Sequence, residues 1–145
     1  MISTSTAEYR LAAQVIIRRG NQIILLERQN TGYEGGNYGL PAGHIEFGET
    51  VKAAARREPN EAIGVDINEA DLEVTGVMHR IKNVTHVDFF LICSEWSGEI
   101  YNREPEKCSD LKWVAINNLP SNMVQNIAIG LSLGTDSQWF HQLES

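Results

Sequence analysis

The sequence is poor in cysteine and has no long apolar run. Among its 145 residues there are only two cysteines, Cys93 and Cys108. Their spacing matches neither a disulfide framework nor a zinc site, so we expect a reduced, cytoplasmic protein. No apolar stretch is long enough to cross a bilayer, and the first ten residues lack the basic and apolar regions of a secretory signal. These absences predict a protein without membrane association.

Basic residues are too few for general nucleic-acid binding. Twelve Lys and Arg stand against nineteen Asp and Glu, which gives a formal charge of −7. A net negative chain is a poor partner for a phosphate backbone, so we expect no stable binding to nucleic acid. A phosphorylated small molecule stays compatible with this charge, because bound divalent cations can make a site locally positive.

The apolar residues predict one domain that spans residues 1–145. The chain is 42% hydrophobic, enough to bury a core without disulfides or a structural metal. Two β-branched runs around Gly20-Asn21 predict a hairpin with strands near 11–18 and 22–27. The Gly- and Asn-rich segment 29–44 predicts a long loop, from which Tyr38 and Leu40 reach the core.

The remaining elements complete the predicted fold. Alternating apolar patterns predict strands over 71–81 and 85–96 and a short strand over 111–116. Helices are predicted over 50–63, with Gly64 as the stop, and again after Pro120. This order of elements predicts an α+β fold, a sandwich in which a mixed sheet lies between helices.

The helix predicted over 50–63 is rich in charged residues. Glu58 and Glu61 are three residues apart and share one face of the helix, while Arg57 and Glu61 are four apart and can pair. One interpretation is a solvated amphipathic helix with salt bridges. The alternative is a metal site, because two carboxylates on one face repel each other unless a cation lies between them, and Mg²⁺ prefers oxygen ligands.

The spacing of this stretch resembles the signature of the Nudix hydrolase family. Gly43 is followed by five residues, Glu49, seven residues, Arg57-Glu58, two residues, Glu61, two residues, Gly64 and an apolar Val65. The segments "GLPAGHIE" and "DLKWVAINNLP" and residue Arg28 also look like family landmarks, so the resemblance covers roughly 12–120. It implies a MutT-like fold, a Nudix α/β/α sandwich.

Two positions depart from the signature. The family usually has a second glutamate after the one that matches Glu61, and here that residue is Ala62. It usually has an apolar residue after Arg-Glu, where this chain has Pro59. A proline inside a helix removes one backbone hydrogen bond and crowds the carbonyl of Ala55, at a cost of about 3 kcal/mol. We expect either a bent catalytic helix or a weakened site.

The resemblance implies Mg²⁺-dependent hydrolysis of a diphosphate linkage, with Mn²⁺ as an alternative metal. Glu61 and Glu58 would be metal ligands, with Glu58 also a proton acceptor. Arg57 would orient the carboxylates, with Glu49 as its partner. The carbonyl of Gly43 would be a further ligand. A loop acid is also implied, and we favour Glu104 over Glu106.

Several substrate classes are compatible with the sequence. Nucleoside triphosphates come first by resemblance, while dinucleotide polyphosphates, nucleotide sugars, ADP-ribose and a nucleotide-binding module without turnover stay open. A homodimer is also compatible with the sequence. Phe90 is expected in the core, whereas His86 and Asp88 also fit the exposed face of a strand. Four residues are the candidates for substrate binding: Arg28, Tyr38, Arg80 and His86.

Overall fold

The protein is represented by a computed structural model, which describes residues 5–29, 35–81, 85–135 and 138–144. Two helices are present in this part of the chain, α1 (Val51–Ile63) and α2 (Gln125–Gly130), and a short 3-10 helix spans Glu69–Asp71. The strands are β1 (Arg10–Arg19), β2 (Gln22–Arg28), β3 (Tyr38–Gly39), β4 (Ala42–His44), β5 (Leu72–Ile81), β6 (Thr85–Cys93), β7 (Cys108–Ala115) and β8 (Phe140–Glu144).

The strands form one mixed sheet in the order β3-β2-β1-β6-β5-β8. Strand β4 also pairs with β1, and β7 pairs with β2. The pairs β1–β6 and β5–β8 are parallel, and the other pairs are antiparallel. The parallel pairing of β1 with β6 brings residues from the two halves of the chain side by side. This pairing brings Gln14 of β1 within hydrogen-bond distance of Asp88 of β6.

Each face of the sheet carries its own apolar core. Val15 and Ile17 of β1 pack with Ala54 and Ala55 of α1 on one face. Ile16, which points the opposite way because side chains alternate along a strand, belongs to the cluster that includes residues of α2. The helices therefore lie on opposite faces, and the predicted α/β/α sandwich with a mixed sheet is confirmed.

The hairpin and the core positions follow the sequence prediction. Gly20 has φ of 62° at the turn between β1 and β2. Tyr38 and Leu40 are buried, as are Phe90 and the free thiol Cys93. The segment 29–44 is not wholly a loop, however, because β3 and β4 lie within it. Strands of two and three residues are too short to produce an alternating pattern.

Two further boundaries differ from the prediction. Strand β7 begins three residues before the predicted 111–116, and β6 ends at Cys93 instead of continuing to residue 96. Strand β8 was not predicted, because its sequence FHQLE has no β-branched residue. In the described part of the chain, no helix is long and apolar enough to cross a membrane.

The interpretation of His86 and Asp88 as an exposed strand face is wrong. His86 is 8% exposed and Asp88 is fully buried. Their alternation with apolar residues predicts two different faces but cannot tell whether the polar face meets water. Here β1 and β5 cover the two edges of β6, the apolar cluster that includes α2 covers one face, and the cluster that includes α1 covers the other.

Candidate active site

Helix α1 is fixed by caps at both ends. The hydroxyl of Thr50 accepts a hydrogen bond from the backbone N–H of Ala53 at 3.1 Å. At the other end Gly64 has φ of 78°, and its N–H donates to the carbonyl of Asn60. The helix therefore begins and ends as predicted and runs through Pro59, which is buried. These caps fix which face carries the acidic side chains.

Arg57 is the centre of a charged network on this helix. Its Nε and Nη2 donate to the two carboxylate oxygens of Glu49 at 2.8 and 2.9 Å, so the predicted pairing is present in bidentate form. Its Nη1 donates to Glu58 Oε1 at 2.6 Å and lies 3.4 Å from Glu61 Oε1. Nη2 also donates to the carbonyl of His44 at 3.1 Å. One guanidinium thus ties the preceding loop to both glutamates of the helix.

The pKa values follow from this network. The hydrogen bond from Arg57 lowers the pKa of Glu49, and the same bond raises the pKa of Arg57. Burial raises the pKa of Glu58, with Glu61 and Glu104 adding to the rise and Arg57 opposing it. Glu49 is therefore a firmly charged anchor, while Glu58 is a partly buried carboxylate that gains from a further cation.

Gly43 lies directly against Glu58. A β-carbon on residue 43 would overlap the carboxylate of Glu58. The strand β4 therefore approaches this acid as closely as a backbone can, which only glycine permits. This proximity would allow the carbonyl of Gly43 and the carboxylate of Glu58 to bind the same cation.

A cleft of about 770 Å³ gathers three of the candidate acids. It is lined on the helix side by Glu58, Glu61 and Ala62 and on the loop side by Glu104, Lys107 and Cys108. Arg28, Leu26, Leu40 and Ala42 complete the lining. Glu104 Oε2 lies 3.6 Å from the ammonium group of Lys107. Glu106, the alternative loop acid, is not among the residues that line the cleft, so the geometry favours Glu104.

The loop before β7 is attached to two other elements. The backbone N–H groups of Tyr101 and Arg103 donate to the carbonyls of Ile63 and Ala62, at the last turn of α1. On the other side, the N–H of Gln29, just beyond β2, donates to the carbonyl of Lys107 at 2.9 Å. These bonds use helix carbonyls that have no partner within the helix. They also hold Glu104 opposite Glu58 and Glu61.

The carboxylate oxygens of the cleft are the type of ligand that a hard divalent cation prefers. Within the described residues, no three His, Cys, Asp or Glu side chains are grouped closely enough to hold a metal ion by themselves. Glu58, Glu61 and Glu104 nevertheless line one cleft, and mutual repulsion and burial already raise the pKa of Glu58. Carboxylates that face one cleft are stabilised by a cation, and Mg²⁺ commonly uses one or two carboxylates plus substrate phosphates.

A smaller cavity adjoins this cleft. It shares Arg28 and Leu40 with the cleft. Its other lining residues are Gln14, Gly39, Arg80, Val124, Asn126 and Ile127. Gln14 and Asn126 were missed by the sequence reasoning. A signal for Gln14 existed, since it is the one polar residue inside the apolar run 11–17 of β1.

The remaining candidates lie elsewhere. Tyr38 is buried, and its hydroxyl donates to Asp110 at 2.6 Å, a bond that raises the pKa of Tyr38 to about 12. His86 stacks on His44, with 3.3 Å between their Nε2 atoms. Tyr38 and His86 line neither cavity, whereas Arg28 lines both and Arg80 lines the smaller one.

Comparison with known proteins assigns the family. The model of the NUDIX domain family matches residues 8–130, which include both cavities and the whole of α1. The chain belongs to the Nudix hydrolase family. It is 32% identical over 96 residues to an 8-oxo-dGTP diphosphatase of Proteus vulgaris, covering 65% of this chain and 83% of that protein.

Other Nudix relatives differ in substrate and length. The chain is 40% identical over 111 residues to an ADP-ribose pyrophosphatase of Methanocaldococcus jannaschii, covering 76% of this chain and 64% of that one. It spans 37% of the length of the NAD-capped RNA hydrolase NudC of Stutzerimonas stutzeri. A MutT Nudix hydrolase structure from Burkholderia pseudomallei superposes with a TM-score of 0.81 at 26% identity, covering 89% of this chain and all of that chain.

The two departures from the Nudix signature, Ala62 and Pro59, lie in different surroundings. The glutamate that is usually second in the Glu-Glu pair is replaced by Ala62, which lines the carboxylate cleft. A residue that lines the cleft therefore lacks the carboxylate that the signature usually has there. Pro59 is buried in the helix and is not among the residues that line the cleft. Ala62 therefore changes the number of carboxylates in the cleft, whereas Pro59 changes only the helix that carries Glu58 and Glu61.

Proposed function

We propose that this Nudix protein hydrolyses a diphosphate linkage of a nucleoside triphosphate in the presence of Mg²⁺. The observation that carries the proposal is the pair of adjoining cavities, with Arg28 at their junction. One is lined by Glu58, Glu61 and Glu104, and the other combines polar side chains with the apolar ones of Leu40, Val124 and Ile127. This arrangement suits a ligand with a charged polyphosphate at one end and a planar, less polar group at the other.

The chain's own residues have distinct roles in this proposal. Bound Mg²⁺ supplies charge neutralisation of the phosphate oxygens and activation of water. Water attacks one phosphorus, the bond from that phosphorus to the bridging oxygen breaks, and the proton of the water passes to the carboxylate of Glu58. Glu58 is a candidate acceptor because its carboxylate lines the cleft beside Gly43. Arg57 holds Glu58 by Oε1, and Arg28 contacts phosphate oxygens at the junction.

The relatives define the panel of substrates for the test. Nucleoside triphosphates, 8-oxo-dGTP, ADP-ribose, a nucleotide sugar and a dinucleotide polyphosphate should be incubated with Mg²⁺, with Mn²⁺ and with a chelator, and phosphate and pyrophosphate release measured. We expect release from a nucleoside triphosphate with either metal and none with the chelator. Glu58→Gln should abolish it, while Glu73→Gln, on the exposed face of β5, should not.

A second candidate is a nucleotide-binding module without turnover. Ala62, which leaves the cleft one carboxylate short of the usual signature, favours it. Tight binding of a nucleoside triphosphate with no release of phosphate or pyrophosphate would support this candidate and contradict the hydrolase. Hydrolysis of ADP-ribose alone would correct the substrate and keep the reaction class.

A further inference from the structure

The turn that carries Glu104 is closed by the side chain of Asn102. The amide oxygen Oδ1 of Asn102 accepts from the backbone N–H of Glu104 at 3.1 Å, and its Nδ2 donates to the carbonyl of Cys108 at 2.8 Å. Within the turn, the carbonyl of Glu104 accepts from the N–H groups of Lys107 and Cys108 at 2.9 and 3.0 Å. One half-buried side chain thus joins the first residue of the turn to its last.

The two partners of Asn102 specify an amide at this position. A backbone N–H only donates and a backbone carbonyl only accepts, so the oxygen of Asn102 must face Glu104 and its NH₂ group must face Cys108. An aspartate would offer no donor to the carbonyl, and a leucine, which has the same branched shape, would offer neither a donor nor an acceptor. Among side chains of this shape, only asparagine makes both bonds.

A second amide holds the same turn from the side of the sheet. Gln29 lies just beyond β2, and its Nε2 donates to the carbonyl of Pro105 at 2.5 Å. Its backbone N–H donates to the carbonyl of Lys107 at 2.9 Å. Pro105 has no N–H, so its carbonyl is the backbone group by which this residue can be held. Asn102 therefore holds the two ends of the turn, and Gln29 holds its middle.

The turn brings charged side chains to the cleft. Glu104 and Lys107 line the loop side of the cleft, whereas Glu58 and Glu61 line its helix side. Neither Asn102 nor Gln29 lines the cleft. Mg²⁺ requires ligand oxygens at about 2.0–2.1 Å in a near-octahedral arrangement, so a carboxylate on a displaced backbone is a poor ligand.

We infer that Asn102 is a positioning residue for Glu104 and that Gln29 supports the same turn. The two amides hold the backbone that carries the Glu104 carboxylate, so that it reaches a cation shared with Glu58 and Glu61. This inference rests on the proposed function in that Glu104 is a ligand of the bound cation. It adds the residues outside the cleft that determine where this ligand lies.

The test measures the affinity for Mn²⁺, which also accepts carboxylate oxygen ligands, by paramagnetic resonance of the free ion without substrate. Asn102→Leu keeps the shape of the side chain and removes both bonds, and Glu104→Gln removes the charge of the ligand. Each should weaken Mn²⁺ binding about 10-fold, as expected for groups that bind or orient at a metal site. In the Glu104→Gln background, Asn102→Leu should have little further effect, because both changes act on one ligand.

Asn60→Leu is the matched control. The Nδ2 of Asn60 donates to the carbonyl of Val65 at 3.1 Å, so this variant also loses a bond from a side-chain amide to a backbone carbonyl. The bond lies at the end of α1 and does not hold the turn, so the Mn²⁺ affinity should not change. Hydrogen exchange without metal gives a second readout. The N–H groups of Glu104 and Cys108 should exchange faster in Asn102→Leu than in the control.

Gln29→Met tests the inference from the side of the sheet. It keeps the length of the side chain and loses the bond to Pro105, while the backbone bond to Lys107 stays. We expect it to weaken Mn²⁺ binding less than Asn102→Leu does, and to have little effect in the Glu104→Gln background. If Asn102→Leu does not fold, Gln29→Met provides the same comparison.

Three results would overturn the inference. They are an unchanged Mn²⁺ affinity in Asn102→Leu, an unchanged affinity in Glu104→Gln, and a loss in Asn102→Leu that is equally large in the Glu104→Gln background. The last result would mean that Asn102 acts through something other than Glu104. Hydrolysis of nucleoside triphosphates is measured separately. Coupled losses of Mn²⁺ affinity in a protein without turnover would contradict the proposed function and keep the inference.

Discussion

Gly43 and Glu58 are in such close contact that a single methyl group on the glycine would overlap the carboxylate. Glycine is required here by the neighbouring acid, since neither a turn nor a positive φ involves this residue. The signature glycine of the sequence and the signature glutamate of the helix are therefore two sides of one contact.

Gly43→Ala should displace the Glu58 carboxylate and lower turnover by a factor of about 10 or more, because a shift of one ångström at a catalytic group has large effects. Steady-state kinetics with a Mg²⁺ titration is the measurement. Gly35→Ala is the control, since a methyl group there meets nothing within 4 Å. Equal kinetics for the two variants would show that the position of Glu58 is not critical.

Glu61→Gln should keep the fold and weaken Mg²⁺ binding, because a neutral amide is a poorer ligand for a hard cation. Titration calorimetry with Mg²⁺ checks the affinity, and a thermal melt checks the fold. Ala62→Glu is the reverse test. Residue 62 lines the cleft, so the added carboxylate should tighten Mg²⁺ binding. An unchanged affinity in Glu61→Gln would remove this residue from the metal site.

Pro59→Ala should stabilise the protein by about 1 kcal/mol. The alanine restores a helix hydrogen bond and removes a ring clash, together worth about 3 kcal/mol. Pro59 is buried, however, and loss of its ring methylenes at about 0.8 kcal/mol each offsets part of the gain. Denaturant unfolding measures the difference. A less stable variant would mean that packing of the ring outweighs the missing hydrogen bond.

Stability should fall as the pH drops below about 6.5. Burial lowers the pKa of His86 and of His44, with Arg80 and Arg10 acting in the same direction and Asp88 opposing them. The unfolded chain therefore binds protons that the folded chain resists, and the free energy of unfolding declines as the pH falls below the ordinary histidine pKa of about 6.5.

The slope cannot exceed about 1.4 kcal/mol per pH unit for each proton. Denaturant unfolding at several pH values measures it. His86→Gln should make the decline shallower, because this residue is the more buried member of the pair. A variant with the same slope as the wild type would show that other groups cause the decline.

Helix α1 could be predicted almost to the residue because local chemistry specifies it. Thr50 caps one end, Gly64 stops the other, and the intervals between Gly43, Glu49 and Glu58 match a family signature. The hairpin at Gly20 and the burial of Tyr38 could be predicted equally well from the sequence. In all of these, the determining interactions lie within the pattern itself.

The smaller cavity could not be predicted, because it is assembled by strand pairing across the chain. Gln14 and Asp88 are 74 residues apart and meet because β1 and β6 run in parallel. In the sequence, Gln14 is a polar residue within an apolar run, and Asp88 is one of the polar residues that alternate with apolar ones in β6. Strands β3, β4 and β8 were missed for a related reason, since they form by adding to a sheet edge that other strands provide.

The attachment of the loop before β7 has a mechanical consequence for the cleft. The backbones of Tyr101 and Arg103 are hydrogen-bonded to the last turn of α1, and that of Lys107 to Gln29. The loop therefore connects the helix to the sheet. The loop that carries Glu104 is therefore bonded to both walls of the cleft, and these backbone bonds determine how far the loop lies from α1. For the polyphosphate ligand that we propose, this spacing determines the size that fits.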